Sequence, residues 1–358
     1  MTFQPDKPFN DLPLLPPDRT LWETMAVYKQ LTFARAALAE LKGRAPVIPN
    51  PLMLINTLVL QEAKDSSSIE NIFTSSDKMY RAFSASTIEP DPQTKEVVRY
   101  RQALWEAWQK VKTGGFTLEL IEDIYRTIKE EEDGIRDYEV FVGNRVKVFY
   151  TPPCCKKVIT SKLNNWLKFA KADDGIDPLI KLAILHYQFE AIHPFTDGNG
   201  RTGRVLNVLY ISLMNLLDEP ILYLSKYIND NKIDYYKLLR EVTEKNNFEE
   251  WILYILKAIT ETAVFTLYKV NAINELFHRT LENVRTQLPS IYSYELIEIL
   301  FHQPYCKIAF LVDAGVASRN TAGKYLSELE DIGILAMEKS GTESLYLNKE
   351  LFKILSES

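Results

Sequence analysis

The twelve residues from His193 to Arg204 hold, in a short space, the groups needed to bind a phosphate and act on it. They read His-Pro-Phe-Thr-Asp-Gly-Asn-Gly-Arg-Thr-Gly-Arg and lie between two helical patterns. A glycine-rich turn at a helix N-terminus exposes unpaired backbone N–H groups, which bind phosphate. His193 can accept a proton near neutral pH, so it could activate an attacking hydroxyl.

Charged side chains in the same stretch could hold the phosphates. Arg201 and Arg204 are three residues apart, so both reach the same side of the first helical turn. Guanidinium groups suit bidentate phosphate contacts, and Asp197 offers a hard oxygen ligand for Mg²⁺. A helix–loop–helix with a glycine turn and surface arginines is the alternative interpretation. It would explain a lone pair of glycines, but not a base, a metal ligand, an anion site and two arginines together.

The stretch resembles the signature of the Fic family, His-x-Phe-x-Asp/Glu-Gly-Asn-Gly-Arg-x-x-Arg, at every fixed position. The resemblance implies transfer of AMP, or less often another phosphate-containing group, from ATP to a Ser, Thr or Tyr hydroxyl of a protein, including the enzyme itself. It implies His193 as the general base and Asp197 as the ligand of Mg²⁺. The implied nucleotide cradle consists of Gly198, Asn199, Gly200, Arg201, Thr202, Gly203 and Arg204.

A segment downstream of the motif resembles the part that helps to close the nucleotide pocket in Fic proteins. Residues 222–228, Leu-Tyr-Leu-Ser-Lys-Tyr-Ile, are followed by Asp-Tyr-Tyr at 234–236. The resemblance makes Tyr235 a candidate nucleotide contact. The alternative is a tyrosine that only packs its helix.

Residues 138–142 and 146–150 are rich in β-branched and aromatic residues, with Gly143 and Asn144 between them. This pattern predicts a short hairpin. The hairpin resembles the flap over which Fic targets lie, so a target protein is expected to dock near Lys147–Pro153 by strand addition. A hairpin with a purely structural role is the alternative.

A possible inhibitory segment lies at the end of a predicted helix. Ser66 and Glu70 are four residues apart and share one helix face. The pattern resembles the inhibitory motif of Fic proteins, Ser/Thr-x-x-x-Glu-Gly/Asn, and residues 60–63 and 12–17 resemble the N-terminal region of one Fic subgroup. The implied role is a pair between Glu70 and Arg204 in the place of the γ-phosphate, which would leave the α-phosphate of ATP misplaced for attack.

The elements that must position these residues are mainly helical. The resemblance implies a mainly α fold, with a Fic-type helical core, a small β-hairpin flap and a C-terminal winged-helix domain. The expected domains are residues 1–94, 95–288 and 289–358. Predicted helices cover about 20–41 with Gly43 as the stop, from after Pro51 to Ile69, Pro178 to Ala191, and 248–288. Residues 1–18, rich in proline and aspartate, read as an extended arm.

The C-terminal segment has the order of a winged helix. Its predicted elements are helices Tyr292–Phe301, Lys307–Asp313 and Ser318–Ile332, and strands Leu335–Lys339 and Ser344–Leu347 with Gly341 at the turn. Arg319 and Lys324 on the third helix could reach a DNA major groove. Glu328, Glu330 and Asp331 on that helix dilute its positive charge, so a protein partner or a homodimer interface are alternatives.

Composition narrows the class of protein. The 358 residues carry 42 basic and 48 acidic side chains, a net charge of −6, which argues against a protein that coats nucleic acid. Cys154, Cys155 and Cys306 have no metal-ligand spacing and suggest a reducing compartment. We expect a cytoplasmic protein that does not bind membranes, because we find neither a signal-peptide pattern nor an apolar run of ~20 residues.

Three functions fit these observations. The first is AMP transfer restrained by Glu70. The second is a DNA-binding regulator whose Fic core senses a nucleotide. The third is removal of AMP from a modified protein, with Glu70 positioning water. The complete catalytic set favours the first, since a sensor would not need His193.

Overall fold

The computed structural model describes residues 3–48, 50–85, 89–143 and 146–357, and its fold is mainly helical, as predicted. The α-helices of the described residues are α1 (Met25–Arg44), α2 (Pro51–Ile69), α3 (Ser76–Ser84), α4 (Pro92–Gly114), α5 (Leu118–Lys129), α6 (Lys156–Lys171), α7 (Pro178–Ile192), α8 (Asn199–Leu213), α9 (Leu224–Asp230), α10 (Lys232–Lys245), α11 (Phe248–Gln287), α12 (Tyr294–Phe301), α13 (Ile308–Asp313), α14 (Arg319–Asp331) and α15 (Lys349–Ser356). The strands are β1 (Val142–Gly143), β2 (Val148–Tyr150), β3 (Tyr305–Cys306), β4 (Ala336–Ser340) and β5 (Glu343–Leu347).

Helices α7 and α8 form the centre of the molecule. Thirteen of the fifteen residues of α7 are buried, because this helix is apolar on every face and has neighbours all round. Helix α8 is buried to the same extent. Helices α1, α6 and α11 pack against α7, whereas α4 and α5 pack against α8. The turn that joins α7 to α8 therefore stands on two helices fixed by the core.

The start and the end of the first predicted helix are wrong. Helix α1 begins at Met25, where Thr24 caps it by accepting a hydrogen bond from the N–H of Val27. Gly43 lies inside the helix, which continues to Arg44. An isolated glycine costs a helix only ~1 kcal/mol, and the packing of α1 along the long helix α11 exceeds that cost. The predicted helices that end at Ile69 and before Pro289 are confirmed.

The flap is shorter than predicted. Strand β1 contains only Val142 and Gly143 and pairs antiparallel with β2. Residues 138–141 form no strand, so the predicted run from residue 138 is wrong. The carbonyl oxygen of Tyr138 accepts a hydrogen bond from Arg136 instead of entering a ladder. Asn144 of the predicted turn lies outside the described residues, whereas Gly143 belongs to the strand.

The C-terminal segment contains the five predicted elements and two that were missed. Strand β3 and helix α15 carried too short a pattern to be recognised, and β3 completes a sheet in the order β3-β5-β4. Gly341 adopts φ +60° at the turn between β4 and β5, as predicted. The ammonium of Lys269, on α11, donates to the carbonyl oxygens of residues 354, 355 and 357, so it fixes the end of α15 against the helical core.

The N-terminal arm packs on the core without forming a regular element before a short 3-10 turn at Arg19–Leu21. Leu12 and Leu15 are buried, and Gln188 donates to the carbonyl of Pro13. Among the described residues one helix, α11, is long and apolar enough to cross a membrane, yet 56% of its apolar window is buried inside the fold. Such burial is typical of a core helix, and the fold is compatible with a soluble protein. The predicted domain boundary at 94/95 falls inside α4.

Candidate active site

The turn between α7 and α8 is built by its own residues. His193 ends α7 in the left-handed region at φ +49°, and Gly198 adopts φ +75° directly before α8. Asn199, the first residue of α8, closes the turn: its side chain accepts a hydrogen bond from the N–H of Phe195 and donates one to the carbonyl oxygen of Phe195, both at 2.8 Å. Because Gly198 has no side chain to cap α8, the first N–H groups of that helix stay open to an anion.

A cavity of about 810 Å³ lies in front of this turn, between the flap and α10. Its apolar and aromatic lining includes Phe149, Tyr150, Ile233, Tyr236 and Leu239. Its polar lining includes Glu70, Glu190, His193, Lys237 and Arg240. The size and the mixed lining suit a ligand with a flat ring at one end and charge at the other.

His193 is set up as a base. Burial, and then the charge of Arg136, lower the pKa of its imidazole to about 4, so the ring is neutral at neutral pH. Its Nδ1 lies 3.3 Å from the carbonyl oxygen of Glu190, which can only accept a hydrogen bond. The proton of the neutral ring therefore belongs on Nδ1, and Nε2 remains free to accept a proton.

Arg204 is bound by the predicted inhibitory segment. Its Nε donates to Ser66 Oγ at 2.8 Å, and its NH2 donates to the Ser66 carbonyl and to Glu70 Oε1, both at 2.9 Å. Burial would lower the pKa of the Arg204 guanidinium, but the Glu70 carboxylate, together with Tyr235, Glu190 and Tyr100, outweighs burial and raises that pKa. Gly200 makes this pair possible, because a Cβ there would collide with both Glu70 and Arg204.

Arg201 is also bound by a carboxylate, which the sequence did not indicate. Its side chain is only 2% exposed, and its NH1 forms an ion pair with Glu96 of α4. Burial lowers the pKa of Arg201 to about 10, so the side chain stays charged at neutral pH. Both arginines of the motif therefore face carboxylates from outside it.

Asp197 is partly exposed to solvent and forms an ion pair with a lysine. The ammonium of Lys129, the last residue of α5, lies 2.6 Å from Asp197 Oδ2, and Arg201 NH2 lies 3.7 Å from the same oxygen. Burial would raise the pKa of the Asp197 carboxyl, but the Lys129 ammonium and the hydrogen bond from the N–H of Gly198 together outweigh burial and lower that pKa. The described residues contain no cluster of three or more potential ligands for a metal. A single carboxylate nevertheless fits Mg²⁺ that arrives with a nucleotide, because Mg²⁺ commonly takes one or two carboxylates together with phosphate oxygens.

Glu190 brings another carboxyl group to the cavity. Its Oε1 is buried and has no hydrogen-bond partner among the described residues, and burial raises the pKa of this carboxyl to about 7. A Cβ on Gly203 would lie 2.6 Å from that oxygen, so the glycine leaves space for Glu190. Glycines 200 and 203 thus admit two carboxyl groups to the first turns of α8.

Two adjacent tyrosines of α10 occupy different environments. Tyr235, the predicted nucleotide contact, is buried and packs against Trp251. Its hydroxyl forms a hydrogen bond of 2.9 Å with His186 Nε2. Tyr236 is 45% exposed and lines the cavity. The structure therefore places Tyr236 in the wall of the cavity and Tyr235 behind that wall.

Arg136 connects the flap to the turn between α7 and α8. Its guanidinium donates to the carbonyl oxygens of His193, Tyr138 and Pro153 at 2.9, 2.7 and 2.8 Å. The sequence could not indicate this role, since all three acceptors are main-chain atoms. Glu96 and Lys129 could not be found either, because they belong to no motif and meet the site only through packing. Glu190 lies three residues before His193 but is not part of the motif.

The N-terminal arm reaches the far end of the flap. The N–H of Phe9 donates to the carbonyl of Thr151, and Thr151 Oγ1 donates to the carbonyl of Pro5. The ring of Phe3 stacks on Tyr150 and lines the cavity. The arm therefore contacts the end of β2 and the residue that follows it, whereas both residues of β1 are exposed.

The chain belongs to the Fic/DOC family. The profile of the Fic/DOC N-terminal region matches residues 28–109 and that of the Fic/DOC family matches residues 115–211, so that together they cover half of the chain. A third profile, the C-terminal domain of SoFic-like protein adenylyltransferases, matches residues 276–351. The predicted family is confirmed.

Curated relatives carry adenylyltransferase names. A probable protein adenylyltransferase of Aquifex aeolicus is 29% identical over 179 residues, which cover 44% of this chain and 54% of the relative. The protein adenylyltransferase Fic of Nematostella vectensis is 28% identical over 156 residues, which cover 42% of this chain and 34% of the relative. The chain thus matches about half or less of the length of these relatives.

Solved structures agree on the fold. A Fic family protein from Desulfovibrio desulfuricans superimposes with a TM-score of 0.56 at 18% identity, covering 90% of this chain and 96% of that one. Fic-1 from Caenorhabditis elegans gives 0.53 at 20% identity, covering 67% and 71%. At these identities the agreement concerns the fold.

Proposed function

We propose that this protein transfers AMP from ATP to a Ser, Thr or Tyr hydroxyl of a target protein, including its own chain. Nε2 of His193 takes the proton of the attacking hydroxyl. The hydroxyl oxygen forms a bond to the α-phosphorus, the bond from that phosphorus to the bridging oxygen breaks, and pyrophosphate leaves. The observation that carries the proposal is a neutral His193 facing a nucleotide-sized cavity at the open N-terminus of α8.

The cavity supports this assignment from both ends. Tyr236, Ile233 and Leu239 offer an apolar surface to a nucleobase. The N-terminus of α8 offers N–H donors and a partial positive charge to the phosphates. Asp197 would hold Mg²⁺, which when bound would neutralise phosphate charge. The names of the curated relatives agree with this activity.

We further propose that the segment of Ser66 and Glu70 restrains the enzyme. Arg204 is the cation best placed to hold the γ-phosphate, and its guanidinium already makes three hydrogen bonds to that segment. A triphosphate can engage Arg204 fully only after the Glu70 carboxylate has moved. ATP that binds beside the closed pair would have its α-phosphate out of line with the attacking oxygen.

The test is incorporation of label from α-³²P-ATP into the purified protein and into proteins of a cell lysate. Glu70→Gly is the sensitised form, and Glu70→Gly combined with His193→Ala is the matched negative control. We expect label with the first and background with the second. If a folded Glu70→Gly protein binds ATP but labels neither itself nor any lysate protein, AMP transfer is not its activity.

Removal of AMP from a modified protein is a second candidate function. Glu70 and His193 line the same cavity, so the carboxylate could orient a water molecule towards a phosphodiester. Release of AMP from a labelled target by the wild type, and its loss in Glu70→Gln, would favour this activity. If the target kept its label with both the wild type and Glu70→Gln, AMP removal would be excluded.

For the C-terminal segment we propose a winged-helix module. The order of α12, β3, α13, α14, β4 and β5 supports it. DNA binding through Arg319 and Lys324 is the less favoured use, because Lys324 is paired with Glu328. Fluorescence anisotropy with labelled duplex DNA would test DNA binding. Analytical sedimentation would reveal a homodimer or a complex with a protein partner.

We also propose that the protein works in the cytoplasm and that its target docks on the flap. The exposed edge of β1 is the edge open to strand addition, because the arm covers the end of β2 near Thr151. Val142→Pro would remove one N–H donor from this two-residue strand. It should reduce labelling of a target protein while labelling of a free hydroxyl acceptor continues.

A further inference from the structure

Lys129 occupies a well-defined place beside Asp197. Its Nζ lies 2.6 Å from Asp197 Oδ2, and its side chain is 18% exposed, whereas that of Asp197 is 67% exposed. The stem of the lysine is shielded because it lies over Gly198, where a Cβ would come within 3.2 Å of Lys129 Cδ. The ammonium is therefore seated between the end of α5 and the catalytic turn.

We propose that Lys129 is a resident cation that competes with a divalent cation for Asp197, so that metal binds this site well only when a nucleotide accompanies it. The inference rests on the proposed function, because it takes Asp197 as the metal ligand. It concerns the order and strength of metal loading, which the family signature does not specify.

The Lys129 ammonium and a divalent cation compete for Oδ2. The ammonium, 2.6 Å away, occupies one of the two lone-pair directions of this oxygen. A Mg²⁺ ion bound to the other lone pair at ~2.0–2.1 Å would lie close to the ammonium and be repelled by it. Asp197 Oδ1 also has one of its lone pairs engaged, since it accepts from the N–H of Gly198 at 2.7 Å. A metal ion at Asp197 must therefore displace Lys129 or bind at a reduced affinity.

The surrounding charge adds to this competition. Arg201 NH2 lies 3.7 Å from the same Oδ2 atom, so two protein cations already face one carboxylate. A divalent ion without a nucleotide would add two more positive charges to this group. A triphosphate reverses the balance, because its oxygens coordinate the metal and accept hydrogen bonds from the displaced ammonium.

The position of Lys129 on its helix explains why the lysine stays. It is the last residue of α5, and a cation is stabilised at the negative end of a helix dipole. The flexible four-carbon stem can move the ammonium away without unfolding the helix. The ion pair between Lys129 and Asp197 is thus stable without a ligand, and it can open when the nucleotide and metal bind.

The probe is Mn²⁺, titrated calorimetrically and by electron paramagnetic resonance into the full-length protein without nucleotide. The variants are Lys129→Gln, Lys129→Met, which keeps the apolar stem over Gly198, and Lys129→Arg, which keeps the charge. Lys110→Gln is the matched control, because Lys110 forms an ion pair of the same 2.6 Å length with Asp123. Thermal melting establishes that each variant is folded.

Removing the competing charge should tighten Mn²⁺ binding by roughly three- to tenfold in Lys129→Gln and Lys129→Met. Lys129→Arg and Lys110→Gln should bind like the wild type. Adding a non-hydrolysable ATP analogue should strengthen Mn²⁺ binding more in the wild type than in Lys129→Gln. The inference would be overturned if both neutral variants, Lys129→Gln and Lys129→Met, bound Mn²⁺ with an affinity equal to or lower than that of the wild type.

Asp197→Ala separates this failure from a failure of the proposed metal site. If Asp197→Ala weakens Mn²⁺ binding while the neutral Lys129 variants bind like the wild type, the competition alone is wrong. If Asp197→Ala binds Mn²⁺ as well as the wild type does, the metal is held elsewhere, and both the assignment of Asp197 and the competition are wrong.

Discussion

Replacing Glu70 by glycine should turn on AMP transfer, most visibly as self-modification. The change removes one of the three hydrogen bonds on Arg204, at 2.9 Å, and the only one that comes from a carboxylate. Ser66 keeps its two contacts, so Arg204 stays in place. The guanidinium is then available to the γ-phosphate, and the α-phosphorus can line up with the hydroxyl oxygen near His193.

The size of the effect follows from the pair that must be broken. A hydrogen bond between charged groups contributes ~1.5–3 kcal/mol, and the lower half of that range applies because the Glu70 side chain is 33% exposed. About 1.5–2 kcal/mol corresponds to a roughly 10- to 30-fold larger fraction of protein with Arg204 free. The initial rate of incorporation should rise by about that factor.

The assay follows α-³²P label in the purified protein at subsaturating ATP. Glu70→Gln should show a smaller rise than Glu70→Gly, because the amide keeps a neutral hydrogen bond to Arg204. The double variant Glu70→Gly with Arg204→Ala should lose the gain. A folded Glu70→Gly protein with the incorporation rate of the wild type would refute inhibition by this segment.

Four further outcomes are expected. His193→Ala should lower transfer by ~10²–10⁴ while leaving ATP affinity largely intact, since the imidazole is a base and not a phosphate ligand; near-normal turnover would refute the assignment. Because burial lowers the pKa of His193 to about 4, the rate should hold from neutral pH down to about pH 5 and then fall, and stability should decline as the pH drops from 6.5 towards 4; a rate that halves near pH 6.5 would show an ordinary imidazole. Glu96→Gln should change the affinity for ATP more than the maximal rate, because it alters only the partner of Arg201, and equal effects on both would contradict that role. Deleting residues 290–358 should leave transfer chemically possible, so a folded truncation without activity would show that this segment contributes to the site.

The parts of the fold that follow from local pattern were accessible from the sequence. The long apolar periodicity of residues 248–288 predicted α11, and the run ending at Ile69 predicted α2. Errors arose where tertiary contacts overrode a local preference. Gly43 does not end α1 because α11 supports the helix, and residue 138 does not begin a strand because Arg136 takes its carbonyl oxygen.

The motif could be recognised because its residues are neighbours in the chain. Their spacing alone placed the candidate base, the candidate metal ligand and the two arginines on one turn. The residues that decide the state of the site could not be read this way. Glu96 and Lys129 are ordinary charged residues on helices distant in sequence, and only the packing of α4 and α5 on α8 brings them to Arg201 and Asp197.

These distant residues change what the site can do before it binds a ligand. Arg204, Arg201 and Asp197 each face an oppositely charged side chain, from Glu70, Glu96 and Lys129 respectively. Under the proposed function, a nucleotide and its metal would therefore exchange partners with three ion pairs rather than enter a site with open charges. Glu70→Gly frees only one of these three groups, so the structure predicts that a variant combining Glu70→Gly with Lys129→Gln should need less divalent cation for half-maximal labelling than Glu70→Gly alone. An unchanged requirement for the cation would mean that Arg204 is the only group whose pairing limits the reaction.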